Sequence, residues 1–166
     1  ILGTGMNAGF YDGRSLARTV PSLGYLLGDE GSGADLGRCL FRDALRDHMP
    51  YEVRSVVFGA NGPDLPQTIQ TIYRSGSPAK ALAAPVVGLA PQRAHPYVQD
   101  LLASRFKLLA SELERTLEAG EIRATGAVAF GFREELASAL AVHGIRLTLV
   151  ERDPMTGLLR YYLAER

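Results

Sequence analysis

The sequence predicts an α/β domain built in layers, with a mixed sheet, helices packed on it and a β-hairpin at its start. Three observations carry that prediction. Two strand-like runs open the chain around Asp12-Gly13, a dipeptide whose residues both tolerate positive φ in a tight hairpin turn. Apolar residues then recur in steps of three and four along two long segments, the pattern of helices with one buried face. Toward the end, strand-like and helical runs alternate, which places helices against a sheet.

The elements follow in order. Met6 to Tyr11 and Arg14 to Val20 are the strands of the hairpin. After Pro21 comes a short apolar stretch, Leu23 to Leu27, and then Gly28-Asp29-Glu30-Gly31-Ser32-Gly33. Ser32 is suited to cap a helix with Asp35 three residues on; Leu36, Leu40, Phe41, Ala44 and Leu45 form its apolar stripe, and Pro50 stops it. Signals weaken between Tyr51 and Pro91, where a helix from Pro66 to Tyr73 and an alanine-rich stretch broken by Pro85 and Pro91 suggest a helical insertion over about 51–94. From Pro96 to Ala119, the residues Val98, Leu102, Phe106, Leu109, Leu113 and Leu117 mark the clearest helix, with Gly120 at the position of a left-handed cap. Arg123 to Phe130 reads as a strand, Arg133 to His143 as a helix ended by Gly144, Ile145 to Glu151 as a strand, and Leu158 to Ala164 as a last amphipathic piece.

Size and composition narrow the function. With 166 residues, 46% hydrophobic and 22% charged, the chain suits one domain with a real core. Basic and acidic residues number 18 each, so no net field draws in nucleic acid or an anionic membrane. No apolar run approaches the ~20 residues that cross a bilayer. A single cysteine, Cys39, excludes an internal disulfide and a four-cysteine metal or iron–sulfur site within the chain, and fits a cytoplasmic protein. His48, His95 and His143 lack metal-ligand spacing, so no metal site is assigned. The opening Ile1-Leu2-Gly3-Thr4-Gly5 begins inside an apolar strand, which leads to the expectation of further sequence upstream.

Three segments could carry chemistry. Gly3-Thr4-Gly5-Met6-Asn7-Ala8 matches the spacing of a dinucleotide fingerprint but continues as a strand, whereas that fingerprint must open a helix. Two readings remain for Gly3-Thr4-Gly5: a phosphate loop offering backbone N–H groups and one hydroxyl, or an ordinary tight turn. In Gly28-Asp29-Glu30-Gly31-Ser32-Gly33, the carboxylates either accept from sugar hydroxyls or offset the positive end of a helix. In Thr125-Gly126-Ala127-Val128-Ala129, the small residues either admit a flat adenine ring or allow close helix–sheet packing.

Taken in order, these segments resemble the carboxy-terminal domain of N-acetylglucosamine kinases and the related BadF/BadG-type ATPases. The resemblance is strongest in Ile1 to Asn7 and in Pro21 to Ala34, which holds the block Gly28-Asp29-Glu30-Gly31-Ser32. It implies an actin-like, ribonuclease H-like fold, with residues 1–166 as the carboxy-terminal lobe of a two-lobe kinase whose amino-terminal lobe is lacking. By the same resemblance, Gly3, Thr4 and Gly5 bind phosphate, Asn7 and Asp29 face the sugar, and Gly126 and Ala127 lie against the adenosine. The family often has serine in place of Ala127, and many relatives carry serine where this chain has Met6. The implied cofactors are ATP and Mg²⁺ and the implied substrate an amino sugar such as N-acetylglucosamine; a homodimer is one arrangement open to the protein. The Asp-Gly-Gly phosphate loop and the aspartate expected as general base are absent here, so no catalytic residue is assigned and these residues alone are expected to transfer no phosphate. The rival readings are a BadF-type ATPase that activates a dehydratase and a non-catalytic sugar- or nucleotide-binding module.

Overall fold

The computed structural model describes residues 1–118 and 120–164. A tight turn, Leu2 to Met6, precedes an antiparallel pair, β1 (Gly9–Tyr11) and β2 (Leu16–Thr19), in the register Gly9 to Thr19. The connection is longer than the two residues expected. Asp12 accepts from the amides of Arg14 and Ser15, each at 2.8 Å, and its own N–H donates to Ser15, so an aspartate-centred turn replaces a two-residue hairpin loop.

The short helix α1 (Gly24–Leu27) leads into α2 (Gly33–Leu45). Ser32 caps α2 through a bond from the Asp35 amide, and Leu36, Leu40 and Ala44 face the core. The middle of the chain is helical: α3 (Tyr51–Phe58), α4 (Leu65–Tyr73) with Asp64 as its cap, α5 (Pro78–Ala83) and a 3₁₀ helix, Ala84–Gln92. α2 and α5 touch backbone to side-chain position at Gly37, where an added Cβ would stand 1.8 Å from the Leu82 carbonyl oxygen; no other residue fits there.

Helix α6 (Pro96–Leu117) runs 22 residues, about 33 Å. Proline sits in its first turn, where a missing N–H costs nothing, and His95 caps it by accepting from the Tyr97 amide. Its predicted stripe, Val98, Leu102, Phe106, Leu109, Leu113 and Leu117, is buried throughout. Burying one such side chain contributes about 1.5–3 kcal/mol. The helix ends before Gly120: Glu118 takes the left-handed conformation itself at φ 50°. Ala119, to which the expected helix ran, lies outside the described residues.

The parallel pair β3 (Glu121–Thr125) and β4 (Arg146–Glu151) completes the strands, connected through α7 (Ala127–Gly131) and α8 (Arg133–Val142); α9 (Met155–Ala164) follows. The strand expected to run on to Phe130 stops at Thr125, because Gly126 turns the backbone at φ 122° and the next residues are helical. In place of one mixed sheet, the described residues form two two-stranded ladders. Leu2 lies between them: it bridges Met6, and its N–H donates to the Thr125 carbonyl at 2.7 Å. No described helix is long and apolar enough to cross a membrane.

Candidate functional site

The glycine turn takes its shape from helix α2. The first amides of α2 lack partners inside the helix. Here Gly33 N–H donates to the Gly3 carbonyl at 2.7 Å and Ala34 N–H to the Thr4 carbonyl at 2.9 Å. In a trans peptide the C=O and the N–H point in opposite directions, and no cis peptide occurs among the described residues. Fixing those two carbonyls against α2 therefore turns the amides of Thr4 and Gly5 away from it. Among the described residues, nothing accepts from these two amides or pairs with the exposed Thr4 hydroxyl. Three donors stand together on one exposed turn.

Asp29 adjoins this turn. Its Oδ1 accepts from the Met6 amide at 3.2 Å, and a methyl placed on Gly5 would stand 2.9 Å from its Oδ2. Oδ2 takes no hydrogen bond among the described residues. Asp29 is only 7% exposed and holds a left-handed backbone at φ 60°. A non-glycine residue there carries strain that the surroundings must hold in place. It does not cap α2, because Ser32 fills that position.

Beside Asp29, the loop is anchored at Gly31 by a charged cluster that the sequence reading passed over. Asp35 is fully buried, and Arg105 of α6 grips both its oxygens at 2.7 and 2.8 Å. The Asp35 carboxylate also accepts from the Gly31 amide at 2.9 Å and from Arg38 at 2.8 Å. Arg38 reaches on to the Tyr25 carbonyl at 2.7 Å. One buried anion thus ties α6, α2, α1 and the acidic loop together. Burial works against the Arg105 charge, but the bonds to Asp35 outweigh it and leave the guanidinium pKa raised. Asp35 was visible only as a capping residue, and no local signal pairs it with an arginine seventy positions away.

The third segment meets the same turn. Gly126 packs so tightly that an added Cβ would stand 2.4 Å from the Leu2 carbonyl oxygen, and its N–H donates to Glu151 at 2.9 Å. Ala127 is exposed at the start of α7, with its nitrogen 4.0 Å from where a Gly3 Cβ would lie. Gly3, Thr4, Gly5, Asp29, Gly126 and Ala127 therefore gather at one place. Asn7, next in sequence to Met6, is exposed and lines a cavity between β1 and β3. His95 caps α6 and His143 pairs with Glu114 at 2.6 Å. Among the described residues, no three His, Cys, Asp or Glu side chains gather as a metal site. Cys39 is buried, and burial, with Asp35 nearby, pushes its thiol pKa up, which suppresses the reactive thiolate.

These features define an α/β domain in which a donor-bearing glycine turn sits beside a nearly buried carboxylate. The solved structure of a putative N-acetylglucosamine kinase from Porphyromonas gingivalis shares the fold, with 34% identity and a TM-score of 0.85 over 97% of this chain. The match covers 58% of that protein's chain. No family model and no curated protein matches this sequence.

Proposed function

We propose that the chain is the carboxy-terminal lobe of an ATP-dependent kinase that phosphorylates a hydroxyl of an amino sugar such as N-acetylglucosamine. The observation that carries the reading is the pairing of two outward amides and a free hydroxyl, at Thr4 and Gly5, with a carboxylate that has one oxygen engaged and one open, at Asp29. The likeness to the P. gingivalis protein supports it.

The donors at the turn suit the phosphate end of ATP, since glycine leaves no Cβ to hold the anion off. When bound, ATP provides the phosphoryl group that is transferred. Thr4 and Gly5 then bind and orient phosphate oxygens, which is most of what a protein contributes to this chemistry. Asp29 accepts from one sugar hydroxyl through Oδ2, while the Met6 amide fixes the carboxylate plane. Gly126 and Ala127 lie against the nucleoside. Among the described residues no three His, Cys, Asp or Glu side chains gather, and no ligand is assigned to the Mg²⁺ that accompanies ATP. In this reading the facing wall of the site, with the base that accepts the sugar proton, belongs to an amino-terminal lobe, and these residues alone transfer no phosphate. A cytoplasmic setting belongs to the same proposal.

Asp29→Asn in the intact protein tests it. A hydrogen bond to a charged group is worth about 1.5–3 kcal/mol, so N-acetylglucosamine affinity falls by about tenfold to a hundredfold. ATP affinity, measured by calorimetry on the same variant, stays the same. Unchanged sugar affinity would end the proposal.

A further inference from the structure

A groove follows the line where α6 meets α8. Glu135 of α8 faces Arg93, just ahead of α6, and His143 at the end of α8 meets Glu114 near the end of α6, so the two helices run in the same direction. Between them lies a cavity of about 500 Å³, whose walls include Gln99, Ala103 and Lys107 of α6 and Glu135, Ala139 and Val142 of α8. Ala103 and Lys107 sit two residues either side of Arg105, about 200° round the helix from it. Arg105 points to Asp35. The groove therefore lies on the opposite side of α6 from the charged cluster.

Its charges are what set it apart from an ordinary interhelical surface. One oxygen of Glu135 stands 3.8 Å from Arg93 Nε, beyond hydrogen-bond reach, and the Arg93 guanidinium donates instead to the Gly131 carbonyl. The other oxygen, Oε2, is buried and takes no hydrogen bond among the described residues. A buried carboxylate oxygen without a donor is costly, and such a group calls for a partner from outside the chain. The Glu135 side chain as a whole is 22% exposed, so a molecule in the groove reaches it. Lys107 carries the opposite charge: it is exposed and pairs with no described residue. Because the helices run the same way, Gln99 and Glu135 stand at one end of the groove and Lys107 and Val142 at the other, about 12 Å away along α6. Between the two charges, Ala103 and Ala139 keep the floor low and apolar.

We propose that this groove binds a small linear zwitterion of the ω-amino acid class. The ligand's ammonium donates to Glu135 Oε2, its carboxylate meets the Lys107 ammonium, and its aliphatic chain lies over Ala103 and Ala139. A cavity of this volume, with an apolar floor and a few polar groups that fix orientation, suits a small molecule. Glu135 is shielded from water and carries more of the affinity than Lys107, whose pairing solvent and salt screen. The inference is independent of the sugar kinase reading, since it uses neither the glycine turn nor Asp29.

Titration of ε-aminocaproate into the intact protein tests it, followed by the NMR shifts of the Ala103 and Ala139 amides. Both shift and saturate at about millimolar ligand. Glu135→Gln raises the dissociation constant about tenfold and Lys107→Gln about threefold; caproate, which lacks the ammonium, and hexylamine, which lacks the carboxylate, show the same two losses in the wild-type protein. Ala103→Leu, at an exposed helical position that leucine suits, fills the groove and abolishes binding while the melting temperature of the unliganded protein stays the same. Absence of saturable shifts in the wild-type protein overturns the proposal, and so does undiminished affinity in Glu135→Gln. Hexylamine binding as tightly as ε-aminocaproate also overturns it, since Lys107 then plays no part.

Discussion

Replacing Arg105 with methionine removes the main partner of Asp35, the most deeply buried charge among the described residues. Asp35 has no exposed surface, and Arg105 supplies two of its bonds at 2.7 and 2.8 Å. Deleting one member of a buried ion pair costs about 3–5 kcal/mol, mostly because the other is left uncompensated. Here the anion keeps the Gly31 amide and Arg38, and the Arg105 side chain is itself 21% exposed. The expected loss is therefore smaller, about 2–3 kcal/mol, or a melting point lower by about 5–10 °C for a domain of this size. Urea unfolding followed by circular dichroism measures it, with an unchanged m-value showing that the unfolded state is unaltered. The same substitution made on an Asp35→Asn background costs less by about 1 kcal/mol or more, because the two side chains act as a unit. A single-variant loss under about 0.5 kcal/mol, or strict additivity in the pair, would refute the view that this cluster holds the acidic loop.

Two further outcomes follow from particular contacts. Gly126→Ala puts a methyl 2.4 Å from the Leu2 carbonyl at a φ of 122°, so a destabilisation of about 3 kcal/mol or more is expected in denaturant unfolding; a loss below about 1 kcal/mol means that the two segments do not approach as described. Asp12 is held below its ordinary pKa of 3.8 by the amides of Ser15 and then Arg14. A lowered carboxylate stabilises above its unfolded pKa and loses that contribution as pH falls through the folded value. The Arg14 and Ser15 amide resonances should therefore titrate with a midpoint below 3.8; an NMR midpoint at or above 3.8 contradicts the turn.

Periodicity made the long helices readable. The stripe from Val98 to Leu117 is a single face of α6, and the Ser32 cap with its apolar run marks α2, because both signals are local. The misreadings arose where backbone conformation overrode side-chain pattern. Ala124 to Phe130 is uniformly apolar except at Thr125 and Gly126, and nothing in that run announces that Gly126 ends a strand and begins a helix. Gly120 looked like the cap of α6, yet Glu118 takes the left-handed position two residues earlier. At the site, glycines bounding Asp29 and the tripeptide Gly3-Thr4-Gly5 were legible as candidates. Their meeting was not, because it depends on hydrogen bonds between residues about thirty positions apart, Gly33 to Gly3 and Ala34 to Thr4. The place of Asp35 was hidden for the same reason: its partner lies on another helix.

Those two bonds also extend the reach of α2. A helix concentrates about half a positive charge on its first amides. In α2 that pole does not face solvent. Each of the two carbonyls it meets belongs to a peptide unit whose own N–H emerges on the far side, so the row of aligned dipoles continues by one more unit at Thr4 and at Gly5. The electropositive tip of the helix is thereby relocated onto a turn only three residues long, and an anion arriving there meets the field of α2 without touching it.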